Sequence, residues 1–343
     1  TGLQSVLESV GTVLSASAHD PASYGFYDSY DGTDGILYYK EYSDSVSIVG
    51  CKTNAVSIEI PEEIDGKNVT SIESTEGSGY YALSWFGAFE DCKSLTEITI
   101  PDSVTKIGRR AFCGCTSLAA ITIPDSVTEI GEKAFYGCTS LTEITIPDSV
   151  TEIGGAVFSG CTSLTEITIP DSVTSLSGNI FYGFFSGCTS LTEITIPDSV
   201  TSIGMRAFEG CTSLTAITIP DSVTGIGEYA FYDCTNLKNV FISDLDSWCK
   251  IDFDAKSSNP LCMGANLYVN GALVSKITIS DSVTRIGKYA FCDCTNLTAI
   301  TLPDSVASIG YAAFSGCTNL KTITFLNPKT SIRGDEFGNC DVD

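Results

Sequence analysis

A unit of about 23 residues repeats along most of the chain and constrains its fold more than any other feature. One copy runs from Cys138 to Gly160, and the next begins at Cys161. In Glu143-Ile144-Thr145-Ile146, apolar and polar residues alternate, so both isoleucines face one side of a strand. Repetition stacks such strands in parallel, about 4.8 Å apart. Because no unit can bury its apolar face alone, the repeat predicts a solenoid.

The rest of the unit predicts how one coil closes. Pro147-Asp148-Ser149 is typical of a turn, and Val150-Thr151-Glu152-Ile153 predicts a second short strand. Gly154 permits the bend that follows, and the Ala-Phe pair, as in Ala134-Phe135, fits a short helical or 3₁₀ turn. One layer of the core is predicted to contain Leu141, Ile144, Ile146, Val150, Ile153 and Phe158.

The repeat also divides the chain. Residues 1–34 contain no repeat and are predicted to be a tail and linker. Residues 35–91 are predicted to form an N-terminal cap with an irregular first repeat. Two predicted strands, at 35–42 and 46–50, form a hairpin over the open end of the stack. The array itself occupies 92–343, with an expanded repeat at 240–276.

Three further local features qualify this division. The step from Cys161 to Cys188 is lengthened to 27 residues around Ser177 to Gly183. Asn270-Gly271 predicts a second hairpin, inside the expanded repeat. In the tail, Ala16-Ser17-Ala18 resembles a signal-peptidase site, the alternative being a disordered or weakly helical tail.

Composition excludes several classes of function. The formal net charge of -24 disfavours nucleic acid and anionic membrane surfaces, which attract basic proteins. No apolar run of about 18 residues or more predicts a membrane span. The single histidine, His19, lies in the predicted tail, and no glycine-rich phosphate loop is present. We therefore expect no enzyme and no cofactor, although hydrolysis by a carboxylate pair stays open on composition alone.

The motif Leu-x-x-Ile-x-Ile-Pro-x-x-Val-x-x-Ile-Gly-x-x-Ala-Phe-x-x-Cys recurs about ten times between residues 56 and 340. It resembles the bacterial leucine-rich repeats of the BspA-like, or treponemal, type. The resemblance implies a β-rich leucine-rich-repeat solenoid with parallel strands. It also implies an extracellular or surface-attached protein in a family whose members include adhesins for host proteins or other cells.

Fifteen cysteines occur, most of them in one column of the repeat. Parallel Cβ vectors in such a column disfavour disulfides, so buried free thiols are expected. Cys249 and Cys262, which bracket the expansion, are the best disulfide candidates. The Cys292-Asp293-Cys294 run is a weak metal signal without a second ligand pair, and no metal is expected. The repeated Asp of Pro-Asp-Ser is interpreted as a turn cap, with an edge calcium site as the alternative.

The outward strand face is the candidate binding surface, although solvated β-favouring residues are the simpler interpretation of its columns. Phe241 replaces threonine in one column and precedes Trp248, so the two could form an exposed aromatic hot spot or sugar platform. Trp248 could instead anchor the expansion as core. The candidate ligand-binding residues are Glu143, Thr145, Glu166, Thr168, Glu193, Thr195, Phe241 and Trp248.

These features lead to one functional hypothesis and two alternatives. The chain is expected to be a secreted or cell-surface interaction or adhesion module. It would act as a monomer and bind a host or neighbouring-cell surface protein or glycan through the strand face. The alternatives are a glycan-binding accessory module and a passive structural spacer.

Overall fold

A computed structural model of the chain describes residues 32–33, 37–51, 55–76, 85–176, 182–326, 335–338 and 340. The chain divides into two compact units, Thr1–Ser172 and Val173–Asp343. The candidate processing site at Ala16-Ser17-Ala18, His19 and most of the insertion after Ser177 lie outside the described residues. Among those that are described, no helix has the length and apolar character needed to cross a bilayer.

The first unit is a β-solenoid that begins with the predicted hairpin. Leu37–Glu41 and Ser45–Cys51 pair antiparallel, and Ser45–Cys51 then pairs in parallel with Lys67–Ile72. Gly32–Thr33, within the segment predicted as linker, adds a short antiparallel strand to Leu37–Glu41. The strands of this unit are Gly32–Thr33, Leu37–Glu41, Ser45–Cys51, Ser57–Glu59, Glu63–Ile64, Lys67–Ile72, Ser74–Glu76, Trp85–Gly87, Glu97–Thr99, Lys106–Ile107, Glu129–Ile130, Glu143–Thr145, Glu152–Ile153 and Glu166–Thr168.

The regular coils build two kinds of parallel ladder. Glu143–Thr145 pairs with Glu166–Thr168 residue for residue, which confirms the predicted Glu-Ile-Thr strand and its register. Glu129–Ile130 pairs with Glu152–Ile153, the predicted second strand. We call the first the outer ladder and the second the side ladder.

The second unit is built in the same way, with an insertion of a different kind. Its helix, α1, spans Leu245–Lys250, and two 3₁₀ turns span Lys256–Ser258 and Pro260–Met263. Its strands are Ser175–Leu176, Ser202–Ile203, Ala216–Thr218, Gly225–Ile226, Asn239–Ile242, Asp252–Phe253, Asn266–Val269, Ala272–Leu273, Lys276–Thr278, Arg285–Ile286, Ala299–Leu302, Ser308–Ile309 and Thr322–Phe325.

Two tight turns close hairpins, and the second of them, at Asn270-Gly271, was predicted. Asp65 and Gly66 both have positive φ, at 52° and 77°, and join Glu63–Ile64 to Lys67–Ile72. Asn270 and Gly271 do the same, at 49° and 77°, between Asn266–Val269 and Ala272–Leu273. Asn and Gly tolerate these left-handed angles, which suit a two-residue hairpin loop.

The core forms as layers of identical residues. Leu141, Ile146, Val150 and Phe158 are each no more than 2 % exposed, as predicted. Ile153 is instead half-buried, which differs from the predicted core position. The phenylalanines stack face to face in both units; Phe112 and Phe135, for example, have ring centroids 5.4 Å apart.

The cysteine column forms no disulfides, as predicted, since each of the fifteen cysteines is among the described residues and keeps its thiol. The thiols also have a role that the sequence did not reveal. Several of them donate to the carbonyl oxygen of a phenylalanine in the preceding coil, with Cys138 Sγ 3.1 Å from Phe112 O. The same bond joins Cys115 to Phe89, Cys161 to Phe135, Cys211 to Phe185, Cys234 to Phe208 and Cys317 to Phe291.

Burial keeps these thiols protonated. It raises the pKa of Cys161 and of Cys234 to about 12, because a thiolate would lose its hydration in the core. A neutral S–H is also the form that can donate to a carbonyl. The column is therefore scaffold.

Candidate functional site

The outward side chains of the outer ladder lie as the strand alternation predicts. In the first unit, Glu143 stands opposite Glu166 and Thr145 opposite Thr168, and all four are exposed. In the second unit, Glu193 and Thr195 are exposed as well. Within each unit these residues are regular, polar and partly acidic, and a ligand for them remains a prediction.

The surface changes character where the second unit expands. Thr218 pairs with Phe241, and Phe241 pairs with Tyr268, so a threonine position is taken by two aromatic residues in successive strands. Their ring centroids lie 5.1 Å apart with the planes tilted by 37°. Both side chains are half-buried, which leaves part of each ring open to solvent.

A short hairpin extends this aromatic surface. Ala272–Leu273 returns antiparallel along Asn266–Val269, with Leu273 opposite Tyr268. Leu273 is 43 % exposed, which is high for a leucine. We call Phe241, Tyr268 and Leu273 the aromatic patch.

Side-chain amides border the aromatic patch. Asn239 pairs with Asn266 two residues before the aromatic pair, and residues two apart point to the same face of a strand. Asn296 donates from Nδ2 to Asn266 Oδ1. The expanded region thus presents rings and amides where Ala216 and Thr218 occupy the regular coil.

Trp248 does not belong to this surface, and the predicted exposed pair of Phe241 and Trp248 is wrong. Trp248 is 1 % exposed, contacts Phe253 edge to face at 5.4 Å, and donates from Nε1 to Ala290 O at 2.8 Å. Because the indole N–H needs a partner when buried, this bond fixes the ring inside the coil. The alternative, that Trp248 anchors the expansion as core, is confirmed.

Tyr268 is the aromatic partner that sequence reasoning missed. It lies 27 residues after Phe241, the offset at which an enlarged coil returns to the outer ladder. The sequence of its neighbours Asn270 and Gly271 predicts only a turn. An alignment of the enlarged coil with the regular coils pairs Tyr268 with Phe241. A search for the nearest aromatic residue in sequence does not.

The expanded coil is held firmly in place below the patch. The Asp244 carboxylate caps α1 by accepting from the backbone N–H groups of Asp246 and Ser247, which lowers the Asp244 pKa although burial opposes this. Asn259, which is fully buried, donates to Tyr289 O at 2.7 Å. These contacts make the aromatic patch part of a fixed surface.

Cys249 and Cys262, the best candidates for a disulfide in the sequence, do not form one. Cys249 is buried within α1, whereas Cys262 lies in the turn Pro260–Met263 beside Cys292. The ligand atoms of Cys262, Cys292 and Asp293 all lie within 4.8 Å of one another. Among the described residues, this is the group of donors close enough together to hold a metal ion.

A shallow groove in the first unit collects several charged side chains. It is lined in part by Lys106, Arg109, Glu129 and Glu132. Lys106 pairs with Glu129 at 3.2 Å, and Arg109 with Glu132 at 3.4 Å. Both pairs are partly exposed, so they contribute little to stability. The groove is explained as ion pairs between neighbouring coils of the side ladder.

Coils with two parallel ladders, stacked phenylalanines and a repeat of about 23 residues define a leucine-rich-repeat solenoid. Residues 86–184, 183–257 and 263–342 match the BspA type leucine rich repeat region, in six copies. The chain therefore belongs to the BspA type leucine-rich repeat family.

Several solved structures are similar to this chain. A leucine rich cell surface protein from Faecalibacterium prausnitzii A2-165 is 26 % identical, with 95 % of this chain and 98 % of that one covered and a TM-score of 0.49. A leucine-rich repeat protein from Bacteroides ovatus ATCC 8483 is 28 % identical, with 88 % and 89 % covered and a TM-score of 0.47. No curated protein matches the chain.

Proposed function

We propose that this chain is a secreted or surface-exposed interaction module that binds a host or neighbouring-cell surface protein through its outer ladder, with the aromatic patch as the main contact. The observation that carries the proposal is the replacement of threonine by Phe241 and Tyr268 on an otherwise polar face. A repeat that serves only as scaffold gives no reason to expose aromatic rings there.

The physical chemistry of interfaces supports this choice. Binding energy concentrates in a few aromatic residues that are desolvated on contact, while the surrounding polar residues mainly exclude water. The patch has two aromatic rings and one leucine on a rigid support, so little conformational entropy is lost when a partner covers them. The polar columns of the regular coils offer no comparable anchor.

Charge favours a basic partner surface. The net charge is -24, and Glu143, Glu166 and Glu193 are exposed along the outer ladder. Such a field accelerates encounter with a positively charged surface and weakens as salt is added. It contributes more to the association rate than to the lifetime of the complex.

The test is to capture partners from host and neighbouring-cell extracts, identify them, and measure their affinity for defined variants. Phe241→Thr and Tyr268→Thr restore the regular residue and should each weaken binding by about 2 kcal/mol, roughly 30-fold in Kd. Tyr311→Thr, which removes an exposed aromatic ring outside the outer ladder, is the matched control and should leave Kd unchanged. Equal affinity of all variants for every captured partner would refute the role of the patch.

A glycan is the second candidate ligand, and the amides of Asn239 and Asn266 favour it. Aromatic faces provide apolar platforms, and side-chain amides can donate to and accept from hydroxyl groups. Binding to a glycan array that is lost in Tyr268→Thr and Asn266→Ala, and that survives protease treatment of the ligand, would select this candidate. Absence of any ligand in both assays would leave the spacer function.

A further inference from the structure

Cys262 and Cys292 differ from the cysteine column in their surroundings. Cys262 lies half-exposed in the turn Pro260–Met263, and Cys292 is buried beneath it. Their Sγ atoms lie within 4.8 Å of each other, and Cys262 Sγ is 3.6 Å from Cys292 O. At that distance the bond to the carbonyl is weaker than the bonds of 3.0 to 3.2 Å made by Cys234 and Cys211.

Cys113 provides an internal comparison. It occupies the position of Cys292 in its own repeat, since Cys113-Gly114-Cys115 matches Cys292-Asp293-Cys294. Burial raises the pKa of Cys113 to about 11, as expected for a thiol enclosed in the core. What distinguishes Cys292 is a second thiol contributed by the expansion, together with a nearby lysine.

We propose that Cys262 and Cys292 are a redox-active dithiol, which closes to a disulfide by exchange with a low-molecular-weight disulfide and thereby fastens the expanded coil to the coil that follows it.

The charges around the pair suit this chemistry. Lys256 Nζ lies 2.7 Å from Asp293 Oδ2, beside the two sulfur atoms. The neighbouring Cys262 thiol lowers the pKa of Cys292, and Lys256 acts in the same direction, while burial and Asp293 oppose it. The same interaction raises the pKa of Cys262. When the pair loses its first proton, the negative charge therefore lies on the Cys292 sulfur, which the Cys262 thiol and Lys256 stabilise.

The exchange proceeds in two displacements. The Cys292 thiolate accepts the proton of Cys262 as the half-exposed Cys262 sulfur attacks the small disulfide, whose S–S bond breaks and releases one thiolate. Cys292 then loses its proton to solvent and attacks the Cys262 sulfur of the mixed disulfide, releasing the second thiolate. The two protein thiols are oxidised, and the small disulfide is reduced to two thiols.

Closure has a measurable mechanical consequence. Cys262 comes from the insertion and Cys292 from the next coil, so the bond would cross-link segments that separate when the expansion opens. Restricting the unfolded chain in this way should raise the unfolding temperature by about 5 °C.

The experiment compares the full chain after incubation with excess oxidised glutathione and after dithiothreitol. Remaining thiols are blocked under denaturing conditions, and peptides are mapped by mass spectrometry without reduction. We expect a Cys262–Cys292 cross-linked peptide, two fewer thiols, and a higher unfolding temperature. Cys113→Ser should behave like the wild type, while Cys292→Ser should retain glutathione on Cys262.

Three outcomes would overturn the proposal. One is a full set of free thiols after oxidation, and a second is a cross-link from Cys262 to Cys249. The third is stoichiometric binding of zinc alone, lost in Cys262→Ser and accompanied by no disulfide in the zinc-free chain. That result would assign Cys262, Cys292 and Asp293 to a metal site.

Discussion

A regular coil and the expanded coil of the second unit satisfy the same row of backbone carbonyls by different means. In the regular coil, the backbone N–H of Phe208 donates to Ala230 O at 2.8 Å. At the equivalent Ala290 O, the donors are side chains: Trp248 Nε1 at 2.8 Å and Asn259 Nδ2 at 3.2 Å. Because a buried carbonyl must be paired, an insertion is tolerated here only if it brings its own donors.

The glycine at the bend keeps its hydrogen bond and its close approach to the preceding backbone. Gly227 donates its N–H to Ile203 O at 2.8 Å, and Gly287 donates to Cys249 O at 2.7 Å. A Cβ on Gly227 would lie 2.4 Å from Met205 N, and one on Gly287 would lie 2.3 Å from Ile251 O. The expansion therefore keeps the close approach of a glycine to the preceding backbone, although at Gly287 that backbone belongs to α1 and its C-terminal end, because, among the described strands, Arg285–Ile286 pairs only with Ser308–Ile309.

The buried backbone carbonyls keep hydrogen-bond donors in the expanded coil. The insertion therefore changes mainly the outward surface. There it lengthens the outer ladder into the hairpin that includes Leu273 and places Tyr268 beside Phe241. The regular coils present charged and polar side chains on this face, and the expanded coil presents partly exposed apolar ones.

The largest effect should come from placing a charge in a regular layer. Ile144 is 5 % exposed, and Ile144→Asp buries a carboxylate without a partner. We expect a loss of about 4 kcal/mol or more in the free energy of unfolding. Urea denaturation followed by circular dichroism measures it. Thr145→Asp, on the exposed side of the same strand, should cost less than about 0.5 kcal/mol, and equal losses would refute the inward assignment.

Removing the indole should be the next largest change and tests the expanded coil directly. Trp248→Ala leaves a cavity and deprives Ala290 O of one donor, for an expected loss of about 3 to 4 kcal/mol. Trp248→Phe keeps most of the ring and loses the donor, so about 1 kcal/mol is expected. Thermal unfolding of the three proteins compares them. Similar stability of Trp248→Ala and wild type would mean that Trp248 does not anchor the insertion.

Sequence reasoning predicted what the repeat determines locally. The alternation at Glu143 to Ile146, the second strand at Glu152 and the turn at Asn270 depend on residues within a few positions of each other, and all three are found. The hairpin that caps the first unit also follows from such short-range patterns.

What the sequence left open depends on distant partners. Trp248 is core because it reaches the Ala290 carbonyl, 42 residues later, which no local pattern specifies. Cys262 lies beside Cys292 rather than Cys249 because the insertion turns Cys249 into α1, away from the turn that holds Cys262. The position of Tyr268 beside Phe241 depends on the strand register of the enlarged coil, which the sequence does not specify locally.

Asn259 should show a smaller but specific effect. It is fully buried, donates to Tyr289 O and Ala290 O, and accepts from the Leu261 N–H at 2.9 Å. Asn259→Ala should cost about 2 kcal/mol, since it leaves buried backbone groups without partners. The control is Asn236→Ala, an exposed residue that donates to Thr212 O at 2.7 Å, for which about 0.5 kcal/mol is expected. Chemical denaturation of both variants measures whether the loss of a side-chain donor lowers the unfolding free energy more in the expanded coil than in a regular coil.

The smallest effect concerns a single thiol and appears only at high pH. The folded pKa of Cys161 is about 12, above the ordinary 9.0, so the folded state holds the proton more tightly than the unfolded state. The stability from this thiol is complete below pH 9 and is lost as the pH rises from 9 towards 12. Between pH 8 and pH 10 the loss should be about 1.4 kcal/mol for this one group. Cys161→Ala should therefore flatten the pH dependence of the unfolding free energy by that amount, whereas Thr162→Ala should leave its slope unchanged. A slope that is the same in Cys161→Ala and wild type would mean that the column thiols ionise in the folded coil, contrary to their burial and their bonds to the phenylalanine carbonyls.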